Sequence, residues 1–390
     1  MVFWRFQASG GKLINPEVDI ELSEMKALIV SKYFYPTVGG VESNAFYVAR
    51  ELVKKGVDVT VLASGEKRSR ENIAGIKVVR LPTWLTIGPA PISPGVFTEV
   101  LRQKFDIANL HDPNPSQNFF AYLALRLKRR PFVVTYHSDI VPYSLSIRLM
   151  KYLYVHLFQR YFLFRKAKTI MPTSPQYIEI SDILHHFRHK CTIVPNGVDL
   201  SVFKPNDIKH GGKRILFVGR LIYYKGLQYL IKAMPEILEK VPDAKLIIVG
   251  EGPLKDDWKA LAKRLKVNDK IEWRGKLSDD EMLKEYQKCD VFVLPSIYKT
   301  EAFGIVLLEA MACGKPCVGT NVSGTEFVLE DSGIAVDPED EEQLSTAIVR
   351  VLTDKKLASE MSRKGLAKVK DFDWKKVAEK VLSVYKGALK

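Results

Sequence analysis

From Met25 almost to its end, the chain alternates short apolar runs with longer segments whose apolar residues recur at helical spacing. In residues 41–54 this spacing predicts an amphipathic helix, which Gly56 is suited to end. The predicted strands of the first half are residues 27–31, 57–63, 77–81, 107–111, 132–136, 168–172 and 192–195. Strands that alternate with helices predict an α/β fold with a parallel sheet.

A polar stretch without apolar periodicity, residues 203–212, interrupts this alternation and is typical of a linker. The alternation resumes with predicted strands at 215–219, 244–250, 270–275, 290–295 and 316–320. We therefore expect two Rossmann-like, doubly wound domains, residues 25–204 and 205–372, with a ligand cleft where the carboxyl ends of both sheets face each other. A last helix within residues 373–390 is expected to cross back to the first domain.

The composition is that of an ordinary globular protein, with 46% hydrophobic and 27% charged residues among 390. The four cysteines are too scattered for a disulfide framework or a zinc site, which favours a reducing cytoplasm. No run of eighteen apolar residues predicts a membrane span, and the amino terminus lacks the apolar core of a signal peptide. Residues 1–24 are interpreted as a disordered extension that need not belong to the native protein.

The net charge of +14 is concentrated in the first predicted domain. Residues 25–190 carry 24 basic and 11 acidic groups, a balance of +13, whereas residues 1–24 carry −2 and residues 191–390 carry +3. A basic domain indicates an anionic partner, such as a membrane surface, a phosphorylated substrate or nucleic acid. No nucleic-acid-binding motif is visible, so nucleic acid is not expected as a partner.

Two glutamates eight residues apart, Glu301 and Glu309, give the most specific chemical signal. The first precedes a predicted helix and the second lies inside it, so both project from nearly one side. The free N–H groups at the start of that helix, after Gly304, suit a phosphate, and a buried Glu309 suits the two hydroxyls of a ribose. A structural carboxylate that caps a neighbouring loop is the alternative for Glu309.

Cationic and glycine residues follow other predicted strands. Arg220 and Lys225 follow the strand at 215–219 and can neutralise a diphosphate leaving group, although a solvated surface pair is the alternative. Gly39 and Gly40 follow the first strand and allow backbone to approach a sugar or a phosphate, although any such turn can contain glycine. The GxGxxG fingerprint of a dinucleotide site is absent.

Two histidines, His111 and His137, stand at the ends of the fourth and fifth predicted strands. Either can position or deprotonate an acceptor hydroxyl, with His111 the favoured candidate, and either can instead be a structural histidine. Asn196, in the segment Pro195-Asn-Gly-Val-Asp199, is available for hydrogen bonds near the hinge, although a simple turn explains this segment equally well.

Residues 144–168 mix aromatic and basic residues, and the nearby segment 126–130 adds four more basic residues. A helix with this composition can lie on an anionic bilayer. The alternative is that its aromatic residues pack in the domain core.

These motifs together resemble glycosyltransferase family 4, a group of retaining enzymes with the GT-B fold, over essentially all of the chain from Met25. The residues that carry the resemblance are GGVE (39–42), HDPN (111–114), PNGVD (195–199), VGRLIYYKG (218–226), PSIYKTEAFGIVLLEAMACGKP (295–316) and GTEFV (324–328). One departure is Ala302-Phe303, where many relatives have Gly-Phe. Residues 31–43 also resemble the opening of enzymes that add N-acetylglucosamine to phosphatidylinositol, and HDPN resembles the HEPN of phosphatidylinositol mannosyltransferases.

The resemblance implies a hexosyltransferase with a UDP- or GDP-sugar as co-substrate, with no cofactor and no metal. It implies that Arg220 and Lys225 bind the diphosphate and that Glu309 holds the ribose. The remaining donor contacts that it implies are Glu301 to the sugar, the backbone of Phe303, Gly304 and Ile305, and Arg274 and Gly275 against the base. The acceptor side would consist of Gly39, Gly40, Glu42, His111, His137 and Asn196.

The catalytic set expected from the resemblance is His111, Glu301, Arg220 and Lys225, with His111 in a positioning role. Retention is attributed to attack from the face that the diphosphate leaves, without a protein nucleophile. The acceptor is expected to be a glycan precursor or an anionic lipid, with peripheral membrane contact through the basic domain. The alternatives are a sugar-nucleotide 2-epimerase on the same fold and a basic membrane- or nucleic-acid-binding module.

Overall fold

The computed structural model describes residues 24–390 except residues 38, 88–89, 141–144, 207 and 209–212. The extension expected at residues 1–24 therefore lies outside the described residues, apart from Glu24.

Within the described residues, the first half of the chain forms a seven-stranded sheet in the order β3-β4-β2-β1-β7-β8-β9. Its strands are β1 (Lys26–Val30), β2 (Asp58–Gly65), β3 (Ser69–Ile73), β4 (Ile76–Pro82), β7 (Ile107–Asp112), β8 (Phe132–Tyr136) and β9 (Ile170–Pro172). All neighbours are parallel except β3, which pairs antiparallel with β4 at the edge. A separate hairpin, β5 (Leu85–Ile87) and β6 (Ala90–Ile92), follows β4.

The second half forms a fully parallel six-stranded sheet in the order β12-β11-β10-β13-β14-β15 among the described residues. The strands are β10 (Lys213–Val218), β11 (Ala244–Val249), β12 (Ile271–Gly275), β13 (Val291–Leu294), β14 (Cys317–Thr320) and β15 (Ile334–Val336). Apart from the edge strand β3, each sheet runs third-second-first-fourth-fifth-sixth in chain order, which is the order of a dinucleotide-binding Rossmann fold. The expectation of two doubly wound domains is confirmed.

Helices cover both faces of each sheet because each strand interior is apolar on both sides. The helices are α1 (Gly40–Lys54), α2 (Gly95–Arg102), α3 (Pro115–Lys128), α4 (Leu145–Lys151), α5 (Phe164–Lys166), α6 (Pro175–Ile180), α7 (Leu227–Lys240), α8 (Lys255–Arg264), α9 (Asp279–Lys288), α10 (Ile305–Ala312), α11 (Ser323–Leu329), α12 (Glu341–Thr353), α13 (Lys355–Lys368) and α14 (Trp374–Leu389). The remaining helical segments are of other types. They are 3-10 turns at Leu184–Lys190, Tyr223–Lys225, Asn268–Lys270 and Val369–Phe372 and a π-helix at Tyr152–Leu163.

The prediction of a strand at residues 192–195 is wrong. This segment runs beside β9, and the Thr192 and Val194 N–H groups donate to the Ile170 and Pro172 carbonyls at 2.9 and 3.0 Å. A parallel ladder also needs an N–H from residue 172, and Pro172 has none. The pairing therefore stops at one isolated bridge, Ile170 to Cys191.

One continuous helix spans residues 145–166, because α4, the π-helix and α5 follow one another without a break. We refer to it as the 145–166 helix. Its inner side buries Tyr154, Val155, Gln159 and Leu163 against the first domain. Hydrogen bonds between residues five apart replace the usual spacing of four over twelve of its residues, which the apolar pattern alone did not predict.

The last helix, α14, packs on the first domain although it follows the second in the chain. Val377, Val381 and Tyr385 are buried in the same core as α1. Trp374 stacks on Tyr47 of α1 with ring centroids 5.3 Å apart and an interplanar angle of 9°. Among the described residues, no helix is long and apolar enough to cross a membrane.

Candidate active site

The order of the strands places the ends of two strand pairs opposite each other. In each sheet the first strand and the fourth strand of the doubly wound order are parallel neighbours at the point where the strand order reverses, and ligands bind in the crevice outside their carboxyl ends. In the first domain this crevice lies between β1 and β7, and in the second between β10 and β13. Gly40 follows β1 and His111 lies at the carboxyl end of β7, whereas Lys225 and Glu301 follow β10 and β13.

Lys225 and Glu301 form an ion pair between the Lys225 Nζ and Glu301 Oε2 atoms. Their side chains are only 13% and 10% exposed. The Ser296 hydroxyl donates to the same carboxylate oxygen at 2.9 Å. Burial acts to lower the pKa of Lys225, but the adjacent Glu301 carboxylate outweighs it and holds the pKa above its usual range. The ammonium therefore stays charged and is fixed in one place.

Arg220 is exposed in the same crevice and donates from Nη2 to the Tyr224 hydroxyl at 3.1 Å. Its charge acts on two residues of the first domain, Lys32 and Glu42. Burial lowers the pKa of Lys32 and raises the pKa of Glu42, and Arg220 lowers both. The Arg220 guanidinium thus lies within electrostatic reach of the opposite domain.

The amino terminus of α10 faces the glycine pair of the first domain. Gly304 precedes α10 in a left-handed conformation with φ of 77°, and a Cβ atom there would lie 3.0 Å from Leu294 Cδ2. A Cβ atom on Gly40 would lie 3.8 Å from Ile305 Cδ1, so the two domains approach closely here. The Phe303 ring points away into the core, with its centroid 5.9 Å from that of Phe372. The Phe303 side chain is therefore withdrawn from the crevice.

Glu309 lies inside α10 and accepts a hydrogen bond from the Tyr286 hydroxyl at 2.6 Å. Burial raises the pKa of Glu309 to about 7, although the Tyr286 hydrogen bond opposes this rise. A carboxyl that is half-protonated near neutral pH and has one oxygen left open suits a pair of ligand hydroxyls.

His111 and His137 are in direct contact rather than separate. The distance between His111 Nδ1 and His137 Nε2 is 2.9 Å, and both side chains are buried. Burial lowers the pKa of His111 well below its usual value and that of His137 to about 3, so both rings are neutral. The second ring nitrogen of His111, Nε2, is buried without a hydrogen-bond partner among the described residues.

The residue after His111, Asp112, is held by three side chains. Its carboxylate accepts hydrogen bonds from Tyr154, from Asn118 Nδ2 at 2.9 Å and from Gln159 Nε2 at 2.5 Å. Burial raises the pKa of Asp112 to about 6, although these hydrogen bonds lower it. Two of the three donors belong to the 145–166 helix, which therefore fixes the segment that carries His111.

The remaining predicted acceptor residues lie around the start of α1. Gly39 precedes α1 in extended backbone, and a Cβ atom there would overlap the Glu42 carboxylate. Asn196 is buried, and its Oδ1 accepts from Asn44 Nδ2 at 2.7 Å. This contact fixes residues 195–199 against α1 rather than leaving them a free turn.

Arg274 and Gly275 lie at the end of β12 but differ in orientation. Gly275 has φ of 65°, and its carbonyl accepts from the Gly250 N–H at 2.8 Å next to the crevice. The Arg274 guanidinium is drawn to Glu285 of α9 at 3.4 Å. The structure therefore brings Gly275, but not the Arg274 side chain, towards the crevice.

Lys299 bridges the two domains, a role that sequence reasoning missed. Its ammonium contacts Asp182 at 2.6 Å and Asp139 at 3.3 Å, both in the first domain. Thr173 donates from Oγ1 to the Ala302 carbonyl at 3.2 Å in the same region. Lys32, Tyr224, Tyr286, Ser296 and Asn44 were likewise not singled out from the sequence. Tyr224 and Ser296 lie inside motifs that carried the resemblance, and this position is the sequence signal that could have identified them.

Comparisons with known proteins agree with this geometry. The family model for glycosyl transferases group 1 matches residues 200–368, and the model for Glycosyltransferase Family 4 matches residues 38–202. A D-rhamnosyltransferase of Pseudomonas aeruginosa is 30% identical over 86% of this chain and 88% of its own length. An uncharacterised glycosyltransferase of Methanocaldococcus jannaschii is 29% identical over 93% and 98%. A phosphatidyl-myo-inositol mannosyltransferase of Mycobacterium tuberculosis is 27% identical over 93% and 96%.

Solved structures share the whole architecture. Sucrose-phosphate synthase from Thermosynechococcus elongatus superimposes with a TM-score of 0.74 at 21% identity, covering 93% of this chain and 98% of that structure. HepE of Anabaena, in complex with UDP and glucose, gives 0.72 at 19% identity, covering 92% and 98%. With two facing Rossmann-like domains, and with family models that match both halves, the chain belongs to glycosyltransferase family 4, whose members transfer a sugar from a nucleotide sugar and have the GT-B fold.

Proposed function

We propose that this glycosyltransferase moves a hexosyl unit from a UDP- or GDP-sugar to an acceptor hydroxyl with retention of configuration and without a metal. One observation carries the proposal. The fixed Lys225 ammonium, the exposed Arg220 guanidinium and the start of α10 lie on the second domain, and the charge of Arg220 reaches Lys32 and Glu42 on the first. A dianionic donor in this crevice would meet positive charge from both domains.

The donor would bind along α10. Its diphosphate would accept hydrogen bonds from Arg220, Lys225 and the free N–H groups at the start of the helix, where the helix dipole favours negative charge. Its ribose hydroxyls would bond to Glu309, whose second partner is Tyr286. Glu301 would contact the hydroxyls of the transferred sugar while it remains paired with Lys225. The base would lie near Gly275.

We propose retention without a protein nucleophile because Glu301 and His111 are poorly suited to act as a nucleophile or a base. Lys225 neutralises the Glu301 carboxylate, and the lowered pKa of His111 makes that ring a poor proton acceptor at neutral pH. The bond from the anomeric carbon to the diphosphate would break, and the acceptor oxygen would form its new bond on the same face. The acceptor proton would pass to an oxygen of the departing diphosphate. His111 would position the acceptor through Nε2, the ring nitrogen that lacks a hydrogen-bond partner within the described part of the chain.

Metal independence rests on the charge at the leaving group. Arg220 and Lys225 would place a guanidinium and an ammonium, the latter also paired with Glu301, where the diphosphate gathers negative charge, which is the role that a divalent ion fills in other transferases. An anionic lipid is the acceptor that we favour. Residues 25–190 carry +13, and one relative is a phosphatidyl-myo-inositol mannosyltransferase.

The test is transfer from radiolabelled UDP- and GDP-hexoses to phosphatidylinositol and to soluble sugar acceptors, with and without EDTA. We expect transfer that survives EDTA, and a product whose anomeric coupling constant matches that of the donor. Loss of activity with EDTA and rescue by a divalent ion would contradict metal independence, and an inverted product would contradict retention.

A variant at Lys225 tests the donor site separately. We expect Lys225→Met to lower kcat/KM by roughly a hundredfold, because it removes a buried charge that contacts the leaving group, a loss of about 2 to 4 kcal/mol. Lys232→Met is the matched control, since this lysine of α7 forms an exposed ion pair with Glu341. Equal activity in the two variants would remove Lys225 from the site.

A further inference from the structure

The outer side of the 145–166 helix exposes an unusual number of large apolar side chains. Leu149, Tyr152 and Tyr161 are 60%, 58% and 51% exposed. Leu153, Leu157 and Phe162 complete this row, whose successive members are one, three or four residues apart. The inner side of the same helix is buried, so the exposed row lies on a single face.

Helix α3 extends this surface. Its exposed residues Phe119, Leu123 and Leu127 recur every four positions, and Leu127 is 68% exposed. The Phe119 ring packs against Phe158 of the 145–166 helix with centroids 5.5 Å apart, which joins the two rows. We call these two rows of exposed side chains the apolar face. The aromatic residues predicted either to meet a membrane or to fill the core are thus divided between the two sides of one helix.

The charge around the apolar face is predominantly positive. Residues 113–178 contain ten lysine and arginine residues and one acidic residue, Asp139, which is buried. Among the described residues, Lys151 is the one of these ten that forms an ion pair, with Asp182 at 2.6 Å. Apolar side chains rimmed by cations match the interface of an anionic bilayer, where rings and aliphatic chains enter the headgroup region and cations meet the phosphates.

We propose that the apolar face docks this enzyme on an anionic lipid bilayer. The inference rests on the proposed function in one respect, since a lipid acceptor gives the docking its purpose. The inner side of the docking helix holds Asp112, next to His111, through Tyr154 and Gln159. Docking therefore brings the first-domain side of the crevice to the surface that presents the acceptor.

The test is co-sedimentation of the full chain with sucrose-loaded vesicles, either phosphatidylcholine alone or a mixture with phosphatidylglycerol. We expect binding to the mixed vesicles that weakens at high salt, and little binding to neutral ones. Two variants separate the contributions, Leu153→Asn with Leu157→Asn for insertion and Arg165→Glu with Lys166→Glu for charge. Each should lower the partition coefficient by about tenfold or more.

The controls are matched in chemistry and lie elsewhere. Lys263→Glu with Arg264→Glu reverses two neighbouring charges at the end of α8, and Val202→Asn replaces an exposed apolar residue between the domains. Both should bind vesicles as the wild type does. Stabilisation by UDP or GDP, measured by thermal shift on every variant, reports on the donor site independently of the membrane.

Several results would overturn the docking proposal. The docking proposal would be contradicted if the wild-type protein did not bind anionic vesicles, or bound neutral vesicles equally well. Either result would leave the proposed sugar transfer unaffected. Loss of binding in the controls to the same degree would show that net charge alone acts. A dimer in light scattering that the Leu153 and Leu157 changes dissolve would show that the apolar face covers a second copy instead. Failure of nucleotide stabilisation in the wild type would count against the proposed function and not against docking.

Discussion

Glu309 shows how a single side chain links stability to pH in this enzyme. Its pKa is raised to about 7, whereas an unfolded chain has a glutamate pKa of about 4.3. Between these values the folded protein holds a proton that the unfolded chain has lost. The stabilising contribution is therefore complete below pH ~4.3 and is lost as the pH rises through about 7, by up to about 4 kcal/mol.

Glu309→Gln should remove this dependence, because the amide does not titrate and still accepts the Tyr286 hydrogen bond. We expect the variant to gain stability relative to the wild type as the pH rises from ~4.3 to ~7 in urea unfolding. The comparison with the variant is necessary because the buried His111 and His137, with lowered pKa values, act in the opposite direction. Parallel stability curves for the two proteins would rule out a raised pKa at Glu309.

At the scale of the element, the turn before α7 depends on one glycine. Gly226 has φ of 70°, and a Cβ atom there would overlap the Pro295 carbonyl oxygen. This contact joins the Lys225 turn to the segment that leads to Glu301. Gly226→Ala should therefore cost about 3 kcal/mol or more of unfolding free energy and also weaken nucleotide binding.

Gly387 provides the opposite case for the same substitution. It lies in α14, and a Cβ atom there meets nothing within 4 Å. Gly387→Ala should stabilise the protein by roughly 0.5–1 kcal/mol, because alanine loses less backbone entropy in a helix. Similar effects of the two alanines in thermal unfolding would show that the Pro295 contact does not restrict Gly226.

The elements that the sequence predicted are those whose pattern is local. The strands of both sheets other than β3 and β15, and the helix after Gly39, follow from apolar runs and spacing, and the structure contains them. The edge strand β3, residues Ser69–Ile73, is largely exposed and polar, so no apolar run marked it. The strand predicted at 192–195 did not form because its pairing partner on β9 is a proline. The sequence of the segment itself does not reveal which residue it pairs with.

The same division holds for the site. Lys225 and Glu301 were singled out because charged residues at strand ends are visible in a sequence, and the structure brings them together. Tyr286 and Lys299 reach Glu309 and Asp182 from other elements, over 23 and 117 residues of chain. No local pattern records such contacts. The pairing of His111 with His137 likewise depends on the parallel register of β7 and β8.

At the scale of the whole molecule, few direct polar contacts span the mouth of the crevice. The contacts of Lys299 with Asp182 and of Thr173 with Ala302 hold one side. The Arg220 side chain is exposed opposite Lys32 and Glu42. A bound diphosphate would link these groups across the crevice, so we expect the two domains to close on the donor.

Small-angle scattering provides the measurement. The radius of gyration of the wild type should fall on addition of UDP or GDP, whichever stabilises the protein, and Lys225→Met should show no change at the same concentration. An unchanged radius in a wild type saturated with nucleotide would mean that the crevice is already closed.

The position of α14 also has a consequence for how the chain is made. Val377, Val381 and Tyr385, with other residues at and near α14, complete a core whose remaining members come from the first half of the chain. During synthesis the first domain thus leaves the ribosome with the apolar side of α1 uncovered, and its core stays incomplete until α14 emerges. A nascent or truncated chain that stops before Trp374 exposes that surface to other chains. Docking of α14 therefore protects the newly made enzyme from aggregation.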